Sequence, residues 1–127
     1  MLERYVVVDL EMTGLNPRRD RILEIGAARV EHGEVTAQYE TFVNPGVGIP
    51  EKVRELTGIN DEMVKDAPRI SEILPDFIAF CADDIFVGHN VIFDYSFLKQ
   101  AAINEKLPFE RQAVDTLKLA RKFLPEL

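Results

Sequence analysis

Asp84-Ile85-Phe86-Val87-Gly88 decides how this chain is read, because this short apolar run stands between two stretches of helical spacing and reads as a buried strand. Upstream, Ile70 to Ala82 carries apolar residues at Ile70, Ile73, Leu74, Phe77, Ile78 and Cys81, with Pro75 inside it predicting a kink or a break. Downstream, a helix is predicted from about Phe93 to Asn104. Ala113-Val114-Asp115 follows as a short strand, and a last helix starts at Thr116. A strand flanked in this way belongs to β-α-β units.

The beginning of the chain follows another rule. Tyr5-Val6-Val7-Val8-Asp9-Leu10 reads as a strand buried on both faces. Ile22 to Val30 and Val35 to Val43 read as two more strands, separated by turns at Gly14-Leu15-Asn16-Pro17 and at Gly33. Turns this short imply an antiparallel meander. Asn44-Pro45-Gly46 ends it, and Pro50 opens a short helix through about Leu56. Thr57-Gly58-Ile59-Asn60 is a loop whose Asn60 caps Asp61-Glu62-Met63-Val64. The predicted fold is an α/β domain with a mixed five-stranded sheet, formed by a meander followed by β-α-β units. Right-handed crossovers place the fourth strand parallel to the first and beside it.

The 127 residues suffice for one domain with one core, so residues 1–127 are expected to form a single unit. No apolar run approaches the roughly 18–20 residues of a membrane span, and Met1-Leu2-Glu3-Arg4 lacks a signal-peptide layout. The single cysteine, Cys81, excludes an internal disulfide, and no Cys/His cluster suits zinc. A cytoplasmic location fits these features. The net charge of −7 argues against broad duplex binding through many basic contacts, but not against an enzyme that grips one strand end with the help of divalent cations.

Asp9 and Glu11 lie two residues apart at the end of an apolar strand, so both carboxylates point to one face. Alone they read equally well as surface acids on a strand running out into solvent. Asp94 follows the fourth strand near the start of a helix, where the helix dipole alone would favour a carboxylate. With the first and fourth strands adjacent and parallel, Asp94 reaches the same end of the sheet. Three hard oxygen donors without a thiol or imidazole suit Mg²⁺ or Mn²⁺.

Val8-Asp9-Leu10-Glu11-Met12-Thr13-Gly14 resembles the first motif of the DEDD 3′→5′ exonuclease superfamily. Gly88-His89-Asn90-Val91-Ile92-Phe93-Asp94, with Phe97-Leu98, resembles the second. Between them, Arg21-Ile22-Leu23-Glu24-Ile25-Gly26-Ala27, Phe42-Val43-Asn44-Pro45 and Leu56-Thr57-Gly58-Ile59 are similar in order and spacing to the proofreading (epsilon/PolC-type) branch of bacterial DNA polymerase III. The resemblance, of the DEDDh type, covers essentially the whole chain and implies a ribonuclease-H-like three-layer fold. It implies Asp9, Glu11 and Asp94 as catalytic ligands of two divalent cations in the complete enzyme, which hydrolyses nucleotides from DNA 3′ ends. It implies Leu10, Met12, Thr13 and Gly14 at the terminal-nucleotide pocket, Thr57 and Ile59 under the terminal base, and His89, Asn90 and Phe97 near the substrate strand. Met12, Ile59 and Phe97 fit core positions equally well, and Asn90 fits a turn before the helix. The implied partners are a single-stranded DNA 3′ end and a DNA polymerase subunit or domain.

Met12 departs from the proofreading branch, which more often carries threonine there. Leu10-Glu11-Met12-Thr13-Gly14 resembles the oligoribonuclease branch instead, so RNA stands as the alternative substrate. The resemblance also implies a later histidine and a last aspartate, beyond the segment like Ala113-Val114-Asp115-Thr116-Leu117. His32 and His89 stand elsewhere, and Asp115 matches a structural aspartate of the family. The chain is therefore expected to be a piece of a longer enzyme, lacking its C-terminal helices and inactive or impaired alone. A sheet face left bare in this way would favour a homodimer. The rival reading is a non-catalytic interaction module that keeps the fold.

Overall fold

The computed structural model describes residues 3–116. β1 (Arg4–Met12), β2 (Ile22–Glu31) and β3 (Glu34–Phe42) form the antiparallel meander. The short helices α1 (Glu51–Thr57) and α2 (Asp61–Val64) follow, then α3 (Ile70–Cys81), β4 (Ile85–Gly88), α4 (Val91–Asn104) and β5 (Ala113–Asp115). The five-stranded sheet has the order β3-β2-β1-β4-β5, with β4 parallel to both β1 and β5. The expected mixed sheet is thus present, with the fourth strand beside the first.

Local chemistry accounts for the turns. β2 and β3 join through His32 and Gly33, with φ of 52° and 81°, and Glu31 pairs with Glu34 across them. Two consecutive positive φ values define the hairpin turn whose twist matches that of the strands. The Asn60 side chain accepts from the Met63 N–H at 3.0 Å, capping α2 as expected.

The main core lies between one sheet face and the helices. Val6, Val8 and Leu10 of β1, with Ile25 and Ala27 of β2, pack against Leu74, Phe77 and Cys81 of α3 and Val91, Leu98 and Ala102 of α4. Burial pushes the Cys81 thiol up to about 12, so it stays protonated as a small apolar filler. A second cluster of Leu23, Ile49, Ile59 and Val64 ties α2 and the loops around it to the sheet.

Three expectations need correction. β1 is not buried on both faces among the described residues. Val6, Val8 and Leu10 are buried, whereas Tyr5 is half-buried and Val7 and Asp9 are exposed, because α3 and α4 cover the other side. Of the kink or break expected at Pro75, the break does not occur, since α3 continues to Cys81. The proline is exposed and removes only the bond to the Ser71 carbonyl, also on the exposed side. α4 starts at Val91, two residues before the expected Phe93, because Asn90 takes a left-handed conformation that turns the chain directly into the helix. The helix expected from Thr116 starts at the last described residue, Thr116 itself being helical, and its continuation over residues 117–127 lies outside the described residues. Among the described residues, no helix is long and apolar enough to cross a membrane.

Candidate active site

β1 and β4 pair only from Tyr5↔Ile85 to Val7↔Val87. At the next position Gly88 passes so close to β1 that an added Cβ would sit 2.9 Å from the Val8 carbonyl oxygen and 3.3 Å from Val91 Cβ. Beyond it the chain turns through His89 and Asn90, and the last part of β1 has no strand neighbour on the β4 side. This opening at the carboxyl ends of two parallel strands is where α/β sheets place their ligand sites.

Asp94 fills part of the opening. It sits in the first turn of α4, is 7% exposed, and accepts from the Leu10 N–H at 3.3 Å through Oδ2. An N–H freed by the divergence of the strands therefore finds its acceptor on the following helix. Burial pushes the Asp94 carboxyl up to about 6; the Leu10 hydrogen bond opposes this, and the charges of Asp9 and Glu11 add to it. Burial also raises the Glu11 carboxyl, helped by Asp9 and by Glu24.

These mutual effects put Asp9, Glu11 and Asp94 in one electrostatic neighbourhood at one rim. The set is not closed: among the described residues no three His, Cys, Asp or Glu side chains are gathered tightly enough to hold a metal ion. The two observations are compatible, because coupling of charges reaches further than ligation and bare carboxylates repel one another. The donors fit a hard divalent cation in chemistry, since all are carboxylate oxygens whose charges disfavour one another in its absence.

Glu24 is the residue that sequence reading did not single out. The register places it directly across from Glu11, where like charges weaken a strand pair, and its charge is felt there. A lone acid within Ile22-Leu23-Glu24-Ile25 was the available signal.

The implied nucleotide pocket is only partly assembled from the expected residues. A groove of about 670 Å³ is lined by Leu10, Glu11, Met12, Gly14 and Leu15 after β1, and by Lys52, Val53, Glu55, Leu56 and Thr57 of α1. Its size suits a small ligand. Leu15 and Leu56 are 81% and 87% exposed at this groove, an apolar pair that pattern reading did not assign to it. Thr57 also holds the loop, donating to the Val53 carbonyl at 2.7 Å and accepting from the Ile59 N–H at 3.1 Å.

Of the other implied residues, Thr13, Ile59, His89, Asn90 and Phe97 do not line this groove. Thr13 is buried, and its backbone N–H and hydroxyl are engaged with the Arg21 backbone at 2.8 and 2.9 Å. Ile59 is 3% exposed within the second cluster. Phe97, 2% exposed, packs edge-on against Phe93 with ring centroids 5.4 Å apart and faces a different concavity. His89 and Asn90 are exposed on the turn before α4. Gly14 has a structural reason of its own, since a Cβ there would meet the Asp20 carboxylate at 2.3 Å.

The sheet order and the acidic rim define a ribonuclease-H-like α/β fold. Over 99% of its length the chain is similar in fold to 32% of exonuclease I (apo), with a TM-score of 0.83 and 15% identity. It is also similar to exonuclease X, solved in complex with 5′ overhanging duplex DNA, with a TM-score of 0.74 and 26% identity over 97% of this chain and 66% of that one.

The chain belongs to the RNase_T family, described as Exonuclease, whose profile matches residues 6–127. It is 40% identical over 125 residues to the PolC-type DNA polymerase III of Clostridium perfringens, covering 98% of this chain but 9% of that protein. It is likewise 40% identical to the DNA polymerase III subunit epsilon of Aquifex aeolicus, over 97% of this chain and 61% of the relative.

Proposed function

We propose that this protein is the nuclease part of a replication system, which removes nucleotides from DNA 3′ ends by hydrolysis with Mg²⁺ or Mn²⁺. The observation that carries the reading is the Leu10 N–H bond to Asp94, which brings a helix carboxylate to the strand rim where Asp9 and Glu11 stand. Similarity to polymerase III proteins favours DNA over the RNA that Met12 suggests, and a polymerase subunit or domain as the partner.

Asp9, Glu11 and Asp94 would hold the divalent cations, and Asp94 is kept in place by the Leu10 backbone. Cations bound there would supply charge neutralisation at the phosphate and activation of water. The groove between the end of β1 and α1 would take the terminal nucleoside, with Met12, Leu15 and Leu56 offering apolar surface to the base. Thr57 would fix the loop beneath it.

The test uses the protein encoded by its full reading frame, Mg²⁺, and matched 5′-labelled DNA and RNA oligomers. Stepwise shortening of DNA from the 3′ end, lost in Asp9→Ala, supports the reading. Faster trimming of RNA would move the substrate to oligoribonucleotides, and unchanged turnover in Asp9→Ala would remove the rim from the chemistry.

A further inference from the structure

Two concavities border the turn from β1 to β2. The groove described above takes residues up to Leu15. The other, of about 340 Å³, begins at Pro17 and is lined by Arg18, Arg21 and Arg69 among its side chains. The protein carries a net charge of −7, so three arginines around one hollow run against its overall balance.

All three arginines are exposed, and among the described residues none of their guanidinium groups makes an ion pair or a hydrogen bond. Arg4 and Arg29 instead pair with Asp84, Lys65 with Glu62, and Lys99 with Glu110. Asp20 and Glu105 also line the hollow. The Asp20 carboxylate, however, is already turned onto the Asn16 N–H at 2.9 Å and lies over Gly14.

The hollow is built into the same supports as the rim. Arg21 is tied through its backbone to Thr13, two residues beyond Glu11. Phe97, on its wall, lies three residues, roughly 4.5 Å, along α4 from Asp94. Asn44 on the wall is held by its side-chain bonds to the Lys65 carbonyl and the Gly46 N–H, at 3.0 and 2.9 Å. The wall runs along α4 from Phe97 to Glu105, so the hollow begins near the helix end that carries Asp94 and leads away from it.

We propose that this hollow binds backbone phosphates of the strand whose 3′ end occupies the acidic rim, through Arg18, Arg21 and Arg69. The inference rests on the nuclease reading and adds to it a sequence-independent hold on the strand beyond its terminal nucleotide. Planar guanidinium groups suit phosphate oxygens, and a negatively charged protein needs such a local exception to retain a polyanion.

Equilibrium binding of fluorescent oligothymidylates of two and eight nucleotides, measured over a salt series with chelator present, tests the hollow without turnover. Arg18→Ala with Arg69→Ala should weaken octamer binding roughly tenfold at low salt and lower the slope of log affinity against log salt by about 1.4, or about 0.7 per lost phosphate contact. Dimer binding should stay as it is, and Arg18→Lys with Arg69→Lys should keep most of the octamer slope. An unchanged octamer slope in the alanine variant would overturn the proposal, as would equal losses for dimer and octamer. Binding of an oligoglutamate peptide with no arginine effect on the octamer would assign the hollow to an acidic protein instead. If the arginine effect holds but replacing the chelator with divalent cations fails to strengthen dimer binding, the rim reading falls and the hollow stands.

Discussion

The Leu10 N–H on β1 donates to the Asp94 carboxylate on α4 at 3.3 Å, joining the first strand to the helix that follows the fourth. The bond couples the fold to the proposed chemistry, because it satisfies a backbone donor while holding a buried acid beside Asp9 and Glu11.

Asp94 should make stability fall with rising pH when no cation is bound. Its carboxyl lies at about 6 in the fold against an ordinary 3.8, so the protonated form is favoured by folding. That contribution is fully present below about pH 4 and is lost as pH rises through about 6, a change on the order of 3 kcal/mol. Asp94→Asn keeps an acceptor for the Leu10 N–H and should abolish this slope, unfolding at a higher temperature than wild type at pH 8 in chelator. Asp94→Ala leaves a buried N–H unpaired and should lack that gain. Thermal melts between pH 4 and pH 8 separate the three proteins.

Gly88→Ala should destabilise the protein by about 2 kcal/mol or more, as an overpacked core position does. The added methyl would meet the Val8 carbonyl at 2.9 Å, and a backbone group cannot swing aside as a flexible side chain can. Gly33→Asn serves as the comparison. Its positive φ of 81° lies in a turn, and nothing lies within 4 Å of the added Cβ, so the loss should be well below that of Gly88→Ala in urea unfolding.

Pro75→Ala should raise stability by about 1–3 kcal/mol, because an exposed position inside α3 gains a helix former and a bond to the Ser71 carbonyl. Chemical denaturation checks this directly. A loss of stability would mean that the proline fixes a bend on which the packing of Leu74 and Phe77 depends.

The sheet order was legible because two periodicities meet at Asp84–Gly88, and because handed crossovers leave few places for a strand that follows helices. The acids at the rim were legible for the same reason, since strand adjacency brings Asp94 to the end of β1. Ile59 and Phe97 were not settled by sequence, because an apolar side chain looks the same whether it lines a groove or fills a core. Glu24 stayed hidden until the register set it against Glu11, with a shift between Glu11 and Met12 that no turn length announces. Arg69 joins Arg18 and Arg21 only through the tertiary fold, so no local pattern could have revealed the basic hollow.

Paramagnetic broadening of backbone amide signals by trace Mn²⁺ tests the central claim most directly, because it needs neither substrate nor turnover. The amides of Asp9, Leu10, Glu11 and Asp94 should broaden first and together, Mg²⁺ in excess should restore them, and Asp94→Asn should blunt the effect. Broadening spread evenly over the acidic surface, or centred away from the end of β1, would contradict a cation site at this rim.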